Sequence, residues 1–191
     1  MEYLLSNDYL HVTFNQNGGA LSSIKDKEGL EYLWQGDAKY WSGQAPVLFP
    51  ICGSLRDDKA ITMNNQVLEM PRHGLVRKLD FECIKQEPQE IEFMIESNEQ
   101  LFKHYPYDFR LVINYRLCDN EIKITYKVEN KGEELMPFFL GAHPGFNCPL
   151  YLDEDYQDYY LCFSDNETCS IPTPITKTGL IDMGNRTPVA V

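Results

Sequence analysis

His143 stands in Gly141-Ala142-His143-Pro144-Gly145-Phe146-Asn147, directly after the apolar run Leu135 to Leu140. A rigid strand end that delivers an imidazole into a Gly/Pro turn is a good mount for a general acid or base. Its position is fixed, and its ordinary pKa lies near neutrality. His73 lies in Pro71-Arg72-His73-Gly74-Leu75-Val76-Arg77, where guanidiniums flank an imidazole and a glycine lets the backbone approach something closely. Such a loop suits the oxygens of a polar ligand. Either histidine alone is as readily a satisfied structural residue, but their joint occurrence with Arg56, in Gly53-Ser54-Leu55-Arg56-Asp57, favours a site. His11 is out of phase with Leu10, Val12 and Phe14 and reads as a surface residue. His104, in His104-Tyr105-Pro106-Tyr107, reads as part of a packed loop.

Other chemistry lacks its residues. The chain has no G-x-S-x-G elbow, P-loop, G-x-G-x-x-G after a strand, or H-E-x-x-H. His73 and His143 lack the short spacings of a metal-ligand set, so no metal is expected. Between Lys131 and Lys177 eight acids occur without a basic residue. The run Asp153 to Asp158 fails the calcium-loop pattern, because Asp158 stands where the turn needs Gly and Ser164 where a bidentate Glu is needed. It reads as a solvated loop. The six cysteines form no C-x-x-C pair and read as reduced, mostly buried thiols.

The elements that must position these residues repeat with period two. Phe109, Leu111, Ile113, Tyr115 and Leu117 alternate with Arg110, Asn114 and Arg116; after Asp119-Asn120, Ile122, Ile124, Tyr126 and Val128 alternate with polar residues. This predicts a hairpin with one buried face. Asn130-Lys131-Gly132 supplies a further turn, and the continuous apolarity of Leu135 to Leu140 predicts a third strand covered on both faces. Leu10 to Phe14 and Ile91 to Ile95 read as strands too. No window offers a long amphipathic helix, and prolines and glycines are spread through the loops, so the expected architecture is an all-β sandwich or barrel. Neither a repeat nor a linker divides the chain, and residues 1–191 read as a single domain.

A formal charge of −12 argues against a grip on nucleic-acid phosphates or an anionic membrane surface, both of which need clustered Lys and Arg. No apolar run approaches the ~18 residues of a membrane span, and Glu2 and Asp8 stand where a leader would be basic and then apolar, so a cytoplasmic location is expected.

Taken in order, Pro46-Val47-Leu48-Phe49-Pro50-Ile51-Cys52-Gly53, Arg56, Pro71-Arg72-His73-Gly74, Tyr105-Pro106-Tyr107-Asp108-Phe109 and Ala142-His143-Pro144-Gly145-Phe146-Asn147 resemble the aldose 1-epimerase (galactose mutarotase) family, particularly its LacX-like branch. The resemblance implies an all-β, galactose mutarotase-like β-sandwich (supersandwich), here incomplete at the C-terminus. It also implies an activity that interconverts the α and β anomers of a hexose through its open-chain aldehyde, without a cofactor. His143 matches the acid that protonates the ring oxygen. His73 and Arg56 match groups that hold the sugar and steady charge on oxygen, with Arg77 a further candidate. The family's general base is a glutamate in a C-terminal strand that has no counterpart here, Glu154 and Glu167 being in the wrong context. A non-catalytic carbohydrate-binding or sugar-sensing domain on the same fold is therefore the alternative. The sugar is a hexose, free or phosphorylated, since Arg56, Arg72 and Arg77 suit a phosphate and neutral hydroxyls alike. Open sheet edges favour a homodimer. Trp34, Tyr40 and Trp41 are read as packing residues rather than as a platform for the sugar ring.

Overall fold

A computed structural model of the chain describes residues 1–165, 168–178 and 180–190. In chain order the strands are β1 (Glu2–Ser6), β2 (Leu10–Asn15), β3 (Ala20–Asp26), β4 (Val47–Leu48), β5 (Lys59–Ile61), β6 (Val67–Glu69), β7 (Glu82–Glu87) and β8 (Glu90–Glu96). After one helical turn, α1 (Glu99–Phe102), come β9 (Phe109–Cys118), β10 (Glu121–Asn130), β11 (Gly141–Ala142), β12 (Thr168–Ile175) and β13 (Leu180–Ala190). Two antiparallel sheets carry the core, one ordered β1-β2-β3 and the other β10-β9-β8-β7; β4 pairs with β11, and β5-β6 and β12-β13 are hairpins.

The alternation explains the two large sheets. Phe109, Leu111, Ile113, Tyr115 and Leu117 of β9 and Ile91, Phe93 and Ile95 of β8 are buried, as are Leu10, Val12 and Phe14 of β2. These two faces meet. Phe14 lies 4.8 Å from Tyr115 and 6.0 Å from Phe93, ring centre to ring centre, and the Tyr115 hydroxyl donates to the Gly19 carbonyl at 2.9 Å. Buried aromatic pairs at such separations add specific contact energy to the burial of their area. The opposite face of the larger sheet is polar, with Arg110 donating to Glu96 at 2.7 Å and to Glu129 at 3.3 Å. Asp119 turns the β9-β10 hairpin at φ 52°, a conformation that Asp tolerates better than most side chains.

Two expectations need correction. Leu135 to Leu140 is not a third strand, and it is not covered on both faces: Leu135 is 79% and Phe139 69% exposed. The segment runs extended beside Pro50, whose carbonyl accepts from the Phe139 N–H at 2.8 Å, and the Tyr105 hydroxyl donates to the Pro137 carbonyl at 2.8 Å. Pro137 has no N–H to offer a ladder, and pairing begins only at Gly141. The cysteines are free but not mostly buried: Cys52, Cys148, Cys162 and Cys169 are exposed and Cys83 and Cys118 half-buried, because they fall in loops, on the hairpin at the end of the chain, or on strand faces turned from the core.

The acidic run is solvent-exposed, with Asp155 and Asp158 capping one short turn. Among the described residues no helix is long and apolar enough to cross a membrane.

Candidate functional site

The site is built on residues 46–50. On one side β4 pairs with β11, Val47 opposite Ala142 and Leu48 opposite Gly141, and the His143 N–H donates to the Pro46 carbonyl at 3.2 Å. On the other side Phe49 bridges to Gly74, and the Leu75 N–H donates to the Phe49 carbonyl at 2.8 Å. One short stretch thus carries His143 on one flank and His73 on the other. The Phe49 ring is wholly buried against Phe109, Phe138 and Tyr105, which ties this stretch to the core.

Gly74 is required by that geometry. Its φ is +78°, and a Cβ there would stand 2.2 Å from the Phe49 carbonyl oxygen. The close approach expected of this glycine is therefore an approach to the protein's own backbone. His73 itself sits at φ 69°, held by a reciprocal pair: its N–H donates to the Gly53 carbonyl at 2.7 Å, and the Gly53 N–H donates to its Nδ1 at 3.1 Å.

Trp41, Pro46, Arg72, His73, Arg77 and His143 line a cavity of about 360 Å³. The two imidazole rings are 5.9 Å apart, centre to centre, and Trp41 lies 5.1 Å from His143. Larger clefts beside α1 and between β3 and β10 hold neither His nor Arg among the described residues, so the smaller one is the candidate site. Among the described residues the cavity wall contains no carboxylate. Burial lowers the His73 pKa below its usual 6.5, and the charges of Arg72, Arg77 and His143 lower it further. Neither Arg72 nor Arg77 has an ion-pair partner among the described residues, which leaves a cationic pocket in an acidic protein.

Of the residues expected at the site, His143, His73 and Arg77 come together in this cavity. Arg56 is not among its lining residues. It starts a short helical turn, lies 3.8 Å from the Asp57 carboxylate, and its side chain is 67% exposed. Trp41, read from sequence as packing, forms part of the cavity wall, whereas Trp34 packs as expected, its Nε1–H donating to the Trp41 carbonyl at 2.7 Å. A signal for Trp41 was present in Gly43 and Gly145: a Cβ at either would lie 2.5 or 2.8 Å from the Trp41 ring. Arg72, read from sequence only as one of three guanidiniums that suit a phosphate or neutral hydroxyls, also lines the cavity. Glu154 is engaged by the Tyr159 hydroxyl, and Glu167 lies outside the described residues. His11 and His104 are exposed, bonded to the Ser6 hydroxyl and the Glu69 carbonyl.

The nearly all-β scaffold sets two histidines and two arginines around one cavity, and comparison with known proteins gives the family. Residues 1–190 match the family described as aldose 1-epimerase, and the chain belongs to it. It is 48% identical over 192 residues to the plasmid-encoded protein LacX of Lactococcus lactis subsp. lactis, and 48% over 189 residues to the chromosomal LacX; each alignment covers 96% of this chain and 63% of the relative. Among solved structures, a galactose mutarotase related enzyme from Lactobacillus acidophilus superimposes with a TM-score of 0.88 at 32% identity, over 100% of this chain and 65% of that one. A galactose mutarotase-like protein from Lactobacillus casei gives 0.78 at 26%, over 100% and 68%. The fold is thus galactose mutarotase-like, and the chain spans less than two thirds of the length of the curated relatives it matches.

Proposed function

We propose that the cavity between His73 and His143 binds a hexose, free or phosphorylated, and that the protein interconverts its α and β anomers by acid/base-assisted ring opening, in the cytoplasm and without a cofactor. The observation that carries this is the 5.9 Å separation of two imidazoles 70 residues apart in sequence, in a cavity sized for one small polar ligand.

In the reaction the anomeric hydroxyl loses its proton, and its electron pair becomes the C1=O1 π bond. The bond from C1 to the ring oxygen breaks, and the ring oxygen takes a proton from His143. Rotation about C1–C2 and the reverse steps deliver the other anomer. His73 and Arg77 hold the sugar oxygens, and Arg56, exposed beside Asp57, is a further candidate for the same role. Among the described residues no lining carboxylate is present to take the first proton. The group that the resemblance implies for that proton is a glutamate of a C-terminal strand.

The same observation favours a second reading, a domain that binds the sugar without turning it over. Polarimetry on fresh α-glucose, α-galactose and their 6-phosphates, beside calorimetric titration with the same sugars, separates the two. Anomerisation faster than the spontaneous rate and lost in His143→Gln supports the enzyme. Heat of binding without rate enhancement supports the binding domain, and neither signal refutes both. We also propose a homodimer through the open edge of β10, which sedimentation at several concentrations tests.

A further inference from the structure

Both ring nitrogens of His73 face donors. The Gly53 N–H points at Nδ1, and the Arg72 Nε–H at Nε2, each at 3.1 Å. A neutral imidazole has one acceptor nitrogen and one N–H, and an imidazolium has no acceptor, so only one of these contacts is a hydrogen bond. The backbone contact is the one that holds. Gly53 and His73 are also joined by the His73 N–H to the Gly53 carbonyl at 2.7 Å, which fixes the two main chains against each other. The Arg72 contact, by contrast, joins two side chains with no backbone bond to set it. Nδ1 is therefore the acceptor, and Nε2 carries the proton. The lowered pKa of His73 agrees, since it keeps the ring neutral.

Arginine does not give up its proton in proteins. Two N–H donors consequently face each other at the cavity wall with no acceptor between them, and Arg72 has no carboxylate partner among the described residues. A lone guanidinium at the surface would simply turn into water. Here it is the neighbour of a second donor whose direction the backbone has set, and what satisfies both is one oxygen rich in electrons.

We infer that Arg72 and the Nε2–H of His73 form a two-donor seat for a single sugar oxygen, the anomeric O1, which bears negative charge once its proton has left and before the ring bond breaks, and that Arg72 is thereby a further substrate-binding residue. This rests on the mutarotase reading of the cavity. As the anomeric proton leaves, its electron pair resides on O1 until the C1=O1 bond forms and the ring bond breaks. Donors already aimed at that oxygen stabilise it most when its charge is largest, because hydrogen bonds to a charged acceptor are about twice as strong as neutral ones. The seat thus acts on the rate more than on ground-state binding. It also eases the loss of the anomeric proton in a cavity whose described wall holds no carboxylate.

The test has two arms. Nitrogen-15 NMR of the histidine-labelled chain reads the tautomer: His73 Nδ1 unprotonated and Nε2 protonated is the expected result, and a proton on Nδ1 overturns the proposal. Inorganic phosphate added to the same sample shifts the Nε2–H resonance in the wild type and not in Arg72→Ala; no shift in the wild type, or an equal shift in the variant, overturns the seat. Polarimetry on α-glucose then reads the rate, with kcat in Arg72→Ala falling roughly 10²-fold at little change in KM and Arg72→Lys recovering part of the loss. An unchanged kcat overturns the catalytic use of the seat. Failure of the mutarotase reading looks different: the wild type gives no rate enhancement while the tautomer and phosphate arm still comes out as expected.

Discussion

Replacing Gly74 by alanine tests whether the contact between Phe49 and Gly74 carries the site. The new Cβ would meet the Phe49 carbonyl oxygen at 2.2 Å, its carbon at 2.5 Å and the Pro50 nitrogen at 2.8 Å, all backbone atoms. Ordinary contact starts at 3.4 Å, so the two main chains must part by about 1.2 Å. That separation takes the 2.8 Å bond from the Leu75 N–H to the Phe49 carbonyl out of range and leaves a buried acceptor unpaired. Such an acceptor costs about 1–3 kcal/mol, and a non-glycine residue in the left-handed region about 1–2 kcal/mol, together roughly 2–5 kcal/mol. Gly53→Ala is the matched control, since Gly53 has φ +84° and nothing within 4 Å of its Cβ position. It should incur only the conformational cost, about 1–2 kcal/mol. Urea unfolding of the two variants under identical conditions should therefore show Gly74→Ala less stable than Gly53→Ala by about 1–3 kcal/mol, with the His73 and His143 ring resonances of Gly74→Ala displaced as well. Equal midpoints for the two variants would refute the argument that the backbone contact, rather than glycine's φ alone, is what the site requires.

Tyr115→Phe removes the hydroxyl that joins the two sheets through the Gly19 carbonyl at 2.9 Å. Its loss should lower the unfolding free energy by about 1–3 kcal/mol with an unchanged urea slope; a change within error would mean that water or another donor serves Gly19. His73 makes stability depend on pH. Its folded pKa lies below the unfolded 6.5 because burial, then the neighbouring positive charges, disfavour its proton, so the unfolded chain takes up the proton first. Stability should be highest above that value, fall as pH drops from 6.5 through the lowered folded pKa, and then level off, and His73→Gln should lack this phase. The carboxylates of Glu90, Glu96 and Glu129, lowered chiefly by hydrogen bonds from Lys85, Arg110 and Lys127 respectively, act in a separate window at and below 4.5, so a wild-type profile parallel to that of His73→Gln above that window would rule out the assignment.

The alternation of Phe109 to Val128 determined β9 and β10 before any coordinates, and the same pattern located β2 and β8. Side chains on a strand point to opposite faces in turn, so a strand with one buried face writes its orientation into the order of its residues. His73 and His143 were legible as candidates for a related reason, because imidazoles beside Gly, Pro and Arg are chemically conspicuous wherever they stand. What a pattern of period two cannot carry is the identity of the neighbour across the gap. Leu135 to Leu140 has the composition of a doubly covered strand, yet Pro137 interrupts its donors and no second layer lies over Phe139. The elements that align the two histidines, β4 and β11, are two residues long each and have no period to read. Arg56 and Arg72 looked alike as guanidiniums near a glycine. The contact of Phe49 with Gly74, between residues 25 apart, helps to hold the Arg72 loop beside His143, while Arg56 lies beside Asp57. Nothing in the order of the residues states that contact, because it depends on one main chain meeting another where Gly74 leaves no room for a Cβ.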